Sequence, residues 1–158
     1  MNEVELNKIC SVHKHTKYQF LGVYAVDELI KLEIDKKPSF LLANTDYSDE
    51  EGSHWVLIYI NSFPTPPIWF DSIGKKPIEY NIIFDNFLKR NGALYLVNTK
   101  RYQHTTSISC GQFCLYVADL LCVGENFSSI LKRFDSKNLI KNDKLVDYYF
   151  NHHMMDEL

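Results

Sequence analysis

Apolar and polar positions divide this chain into short strands and short helices. Val4, Leu6, Ile9 and Val12 predict a surface helix over residues 2–12, and Lys14 to Lys17 is a polar link. Phe20 to Tyr24 reads as extended and Phe40 to Asn44 as a short apolar strand. Between them, Leu29, Ile30 and Ile34 predict a second helix over residues 27–34, ended before Pro38. Thr45 to Ser53 is acidic and polar, a surface loop. His54 to Ile60 and Ile68 to Asp71 are rich in β-branched and aromatic residues and predict two strands. The connection from Asn61 to Pro67 carries three prolines and reads as a loop. Ile82, Ile83, Phe87 and Leu88 predict a helix over residues 79–90, stopped by Asn91-Gly92. Ala93 to Asn98 predicts a further strand. Gln103 to Cys122 changes character halfway. A polar, Ser- and Thr-rich half precedes Phe113, Val117, Leu120 and Leu121 at helical spacing, which predicts a loop running into a buried helix. Residues 126–134 and 142–153 predict two more helices, the second with Asn142 as its cap.

Composition narrows the class. With 158 residues, 46% of them hydrophobic, the chain can bury a proper core as one domain spanning residues 1–158. Ten Tyr and ten Phe suit a packed α/β or α+β domain and argue against disorder. A net charge of −3 leaves no electrostatic footprint for nucleic acid or an anionic membrane. No apolar run approaches the roughly 20 residues of a membrane span, and the acidic N-terminus lacks the pattern of a signal peptide. Asp156-Glu157-Leu158 is similar to an ER-retention tail, a match read as chance in such a chain. Four Cys without a secretory signal read as reduced thiols.

The chemistry centres on Cys110. Ser107 or Ser109 can cap its helix, placing the thiol in the first turn. There, unpaired N–H groups and the helix dipole favour the thiolate, which is the reactive form. Gly111 next to it would let a substrate backbone approach. A nucleophilic thiol needs a base, an orienting group and oxyanion donors. His54 opens one strand of the predicted hairpin and Asp71 closes the other, so antiparallel pairing brings both to one sheet edge. Gln103 and the Cys110 amide are the candidate oxyanion donors. Cys10, Cys114 and Cys122 read as packing thiols, and His13, His15, His152 and His153 as residues in polar terminal surroundings. His104 reads as a surface residue. A zinc site built from Cys110, Cys114, His104 and His54 is the rival chemistry, but paired Cys-x-x-Cys knuckles are lacking and no metal is assigned.

With Phe20-Leu21-Gly22, Asn44-Thr45, Gly52-Ser53-His54-Trp55, Asp71 and Gln103 ahead of Cys110-Gly111, in that order, the chain resembles adenain. That family comprises the adenovirus cysteine proteases and their Maverick/Polinton relatives, within the ubiquitin-like-protein protease clan. The resemblance covers roughly residues 2–150. It implies an α+β, papain-like core, in which a central helix bearing the Cys packs on a mixed or antiparallel sheet with flanking helices. It also implies His54 as base, Asp71 as third member, Gln103 and the Cys110 amide as oxyanion hole, and Trp55 beside the site.

The function implied is a cysteine endopeptidase that cuts viral capsid or core precursors at Gly-containing sites. The location implied is the nucleus or cytoplasm of a host cell, and the virion. Adenain usually carries Glu where Asp71 stands, and it uses DNA and a disulfide-linked activating peptide. This chain is acidic and has no Cys around Gly92, so neither cofactor is expected to be required; DNA is not expected as a strong partner, and an activating peptide that binds without the disulfide stays open. The alternatives are a deubiquitinating or SUMO-type protease of the same clan, and a non-catalytic binding module on that fold.

Overall fold

A computed structural model describes residues 1–155; Asp156 to Leu158 lie outside the described residues. The strands are β1 (Phe20–Ala25), β2 (Ser39–Asn44), β3 (Trp55–Ile60), β4 (Ile68–Phe70) and β5 (Leu96–Val97). Among the described residues they form one sheet in the order β1-β2-β3-β4-β5. β1 pairs parallel with β2 and β4 with β5, while β2–β3 and β3–β4 are antiparallel. The sheet is therefore mixed, and with its helices the fold is α+β.

β2 and β3 are almost wholly buried, as expected of strands covered on both faces. Side-chain alternation sorts their residues. Phe40, Leu42, Trp55, Leu57 and Tyr59 join Phe70 in one core. Leu41, Ala43, Val56, Ile58 and Ile60 join Trp69 in the other. The first core is closed by α1 (Glu3–Val12), α4 (Cys110–Cys122), α5 (Phe127–Leu131) and α6 (Leu139–Tyr149). The second is closed by α3 (Ile82–Asn91), which follows the single turn α2 (Pro77–Tyr80).

Several expectations shift. α1 starts with a capping box between Asn2 and Glu5 and buries Leu6, Ile9 and Cys10, while Val4 faces solvent. The predicted helix over residues 27–34 is only a 3₁₀ turn, Val26–Leu29. Val26 and Leu29 bury, but Ile30 is exposed, so no apolar stripe extends it. The helix predicted over residues 79–90 breaks at Asn81, whose extended backbone and side chain cap a new helix by accepting from the Ile83 amide. The strand predicted over residues 93–98 shortens to Leu96–Val97. Asn138, not Asn142, caps α6. Asn142 is buried in its second turn and donates to the carbonyls of Tyr102 and Asp135. Asn126 caps α5 through the Ser129 amide. No helix of the described residues is long and apolar enough to cross a membrane.

Candidate active site

β3 and β4 pair with Leu57 opposite Phe70 and Tyr59 opposite Ile68. The residue before β3 and the residue after β4 therefore emerge at the same edge. Those residues are His54 and Asp71, both buried, and His54 Nε2 lies 2.6 Å from Asp71 Oδ1. The Cys110 thiol acts on the same imidazole, raising the pKa of His54 while its own is lowered by it. Cys110 is the first residue of α4, the helix that packs across β3. Side chains distant in sequence thus form one chain of thiol, imidazole and carboxylate.

Asp71 is held from four directions. Its Oδ1 accepts from the Ile73 amide, at 3.0 Å, as well as from His54. Its Oδ2 accepts from the Lys75 amide at 3.0 Å and the Tyr80 hydroxyl at 2.6 Å. The Asn98 side chain accepts from the Asp71 amide and donates to its carbonyl, at 2.9 and 2.6 Å. A carboxylate so bonded stays ionised. Burial pushes the Asp71 carboxyl up, but the His54 and Tyr80 hydrogen bonds outweigh it and leave it below its ordinary value. Tyr80 also stacks on His54, ring centroids 5.9 Å apart.

The thiol and imidazole shift towards an ion pair. Burial opposes a charged His54, but hydrogen bonds to Asp71 and Cys110 hold its pKa up at about 9. Burial likewise raises the Cys110 thiol. The His54 bond and backbone donors at Trp55 and Gly111 outweigh it, so the net direction is down. Cys114, one turn on, is fully buried, pushed well up by burial, and donates to the Trp55 carbonyl. It is a core thiol, and Cys10 and Cys122 are likewise raised by burial.

Gln103 approaches from the loop after β5. Its side-chain oxygen accepts from Ser72 Oγ at 2.6 Å, and its Nε2 donates to the Ser107 carbonyl at 2.9 Å. Together these contacts fix the orientation of the amide, with its oxygen turned to Ser72. Trp55, His54, Gln103 and Cys110 line a cleft of about 650 Å³, rimmed by Tyr24 and the exposed Ile108.

Three local expectations change. Neither Ser107 nor Ser109 caps α4 by its side chain. Ser109 Oγ donates to Asp147, and Ser107 Oγ accepts from the Ser109 amide. Gly111 does not open space for substrate, because a Cβ there would meet Met1 Cβ at 3.2 Å and Leu6 at 3.6 Å. Met1 sits against it, and the Met1 carbonyl accepts from Trp55 Nε1 at 3.0 Å. Nor is His13 in polar surroundings: it is buried against Asp119. The rival zinc set of Cys110, Cys114, His104 and His54 is not brought to mutual ligand distance among the described residues.

Tyr80, Asn98 and Ser72 are site residues that motif reading missed. Tyr80 lies inside a predicted helix, Asn98 ends a predicted strand, and Ser72 falls just past the strand that Asp71 closes. Their only signal would have been proximity to Asp71 once the hairpin was drawn.

In fold the chain is similar to thiol peptidases of the ubiquitin-like-protein protease clan, in keeping with the resemblance carried by the motif order. No family model matches the chain. In sequence it is similar to a putative thiol protease of Acanthamoeba polyphaga mimivirus, at 27% identity over 83% of this chain and 50% of that one. The chain thus spans about half the length of the curated relative it matches. In structure it is similar to the ASFV protease, with a TM-score of 0.61, 15% identity, and coverage of 97% of this chain and 66% of that one. The C-terminal Ulp1 protease domain in complex with Smt3, the yeast orthologue of SUMO, gives 0.51 at 12% identity, covering 94% of this chain and 75% of that one. A structure of an AvrA variant with IP6 and CoA gives 0.50 at 18% identity, covering 89% and 53%. At these identities the likeness is one of fold, and function is argued from the site.

Proposed function

We infer that the protein is a cysteine endopeptidase acting on viral or mobile-element precursor polypeptides at Gly-containing sites. The observation that carries this reading is the His54–Asp71 hydrogen bond at the sheet edge, with His54 coupled to the Cys110 thiol at the head of α4. His54 takes the thiol proton and the thiolate attacks the scissile carbonyl. The side-chain amide of Gln103 and the backbone amide of Cys110 receive the oxyanion. The imidazolium then gives its proton to the leaving amine, the C–N bond breaks, and a thioester remains. His54 next deprotonates water, which attacks the thioester, releases the acid and restores the thiol. Asp71 stays ionised and holds the imidazole. In this reading the side chains named carry every step without a cofactor.

Hydrolysis of Gly-containing peptides by purified protein is the test. Cys110→Ala abolishes turnover if the reading holds, and unchanged turnover removes the thiol from the mechanism. Gln103→Ala lowers kcat by roughly 10²–10³-fold, and a wild-type rate would take the oxyanion role away from it. Likeness to the Ulp1 domain bound to Smt3 favours a second reading, cleavage at the C-terminus of a ubiquitin-like modifier. Labelling of Cys110 by ubiquitin or SUMO bearing a C-terminal electrophile separates the two readings.

A further inference from the structure

A second cluster of ionisable groups lies nine residues along α4 from Cys110, and the reaction above makes no use of it. Asp119 is buried in the most apolar stretch of the helix, between Val117-Ala118 and Leu120-Leu121. A carboxylate there is costly unless cations or donors meet it. His13, at the end of α1, and His15, in the link after it, both converge on a single oxygen. His13 Nε2 lies 2.9 Å and His15 Nδ1 2.8 Å from Asp119 Oδ1. The second oxygen, Oδ2, accepts from the Tyr149 hydroxyl of α6.

We propose that His13, His15 and Asp119 form a binding site for a divalent first-row metal ion, zinc in particular. The three ligand atoms lie within 4.8 Å of one another. Two ligands on one tetrahedral zinc stand about 3.3 Å apart, given bonds of about 2.0–2.1 Å. Seating the ion therefore widens the two close contacts by roughly half an ångström, at a residue with room to move. Two imidazoles and one carboxylate are a donor set that zinc accepts, with the fourth position left to water. Access is available because the His15 side chain is 37% exposed, whereas His13 and Asp119 are almost fully enclosed. The Tyr149 hydroxyl supplies the outer hydrogen bond that fixes a ligating carboxylate. Such an ion would clamp the link after α1 to the helix that carries Cys110, so its role is structural and stands apart from the peptidase reading. It replaces protons between the imidazoles and Oδ1, so affinity falls as pH falls.

The experiment titrates Co²⁺ into the full-length Cys110→Ala protein, which removes the cleft thiol as a competing ligand. Expected are one equivalent of saturable uptake, visible d–d absorption without thiolate charge-transfer bands, displacement by Zn²⁺, and a raised melting midpoint. Adding His15→Ala, a half-exposed change that leaves the core intact, removes all four; Asp119→Asn does the same in any preparation that circular dichroism shows to be folded. Absence of saturable uptake, uptake unchanged by His15→Ala, or a spectrum dominated by thiolate bands overturns the proposal.

Discussion

Tyr80 reaches the site through its ring, stacked on His54, and through its hydroxyl, and removing the hydroxyl alone isolates what that contact does. Hydrogen bonds to a charged group contribute about 1.5–3 kcal/mol, so Tyr80→Phe lowers kcat/KM by roughly 10–100-fold. Because the hydroxyl touches Asp71 and not the cleft, the loss falls on kcat with KM held. A loss confined to KM would mean that Tyr80 contacts substrate instead. The pH profile carries the same logic. Activity needs the thiolate and the imidazolium together. It falls at low pH as the thiolate is protonated, below the thiol's ordinary 9.0 because that group is shifted down. It falls at high pH as His54 loses its proton, near about 9. Asp71→Asn removes the largest influence raising His54, so the basic limb moves down towards the ordinary 6.5. The rate drops with it by roughly 10²–10⁴-fold. A basic limb that stays in place in Asp71→Asn would break the link between this carboxylate and the imidazole.

Among elements, the turn after β4 and the loop after β5 depend on each other. Gly74 has a φ of 85°, and a Cβ there would lie 2.7 Å from the Lys100 carbonyl carbon and 2.9 Å from the Arg101 nitrogen. The Tyr102 and Gln103 amides both donate to the Ser72 carbonyl across the same junction. Gly74→Ala therefore lowers stability and catalytic rate together, read by urea unfolding and peptide turnover. A stable but inactive variant would show that the junction positions Gln103 without holding the fold. Phe134 fills the equivalent role in the core, with its ring against Phe70, Tyr102, Phe113 and Tyr116. Phe134→Ala costs about 3–5 kcal/mol by chemical denaturation. The strand hairpin and the Cys110 helix were legible in the sequence because their patterns are local and strongly apolar. The break at Asn81 was not, because a cap inside an apolar run leaves the spacing nearly intact. The helix expected over residues 27–34 failed for another reason: its apolar residues find no surface to cover beyond Leu29.

At the scale of the whole molecule, two buried carboxylates tie distant parts of the chain together. Asp71 joins the sheet edge to α2, and Asp119 joins α4 to α1 and α6. Burial raises both carboxyls, and their hydrogen-bonded partners outweigh it and hold both below 3.8. The stability they contribute is present above about pH 3.8 and is lost as pH falls through the lowered folded values. Acid titration followed by circular dichroism should show unfolding steepening below pH 4, with Asp119→Asn shallower. An acid limb identical in that variant would exclude Asp119 from this linkage. The meeting of His54 and Asp71 could be read in advance because pairing rules fix where hairpin ends meet. The burial of His13 could not, since nothing in residues 13–17 shows that α4 passes beneath them.

The seat of Met1 on Gly111, with its carbonyl held by the Trp55 indole, has a practical consequence. Any polypeptide fused ahead of Met1 emerges at the mouth of the groove that holds the reactive sulfur. An affinity handle placed there would crowd the cleft that Met1 and Cys110 line together.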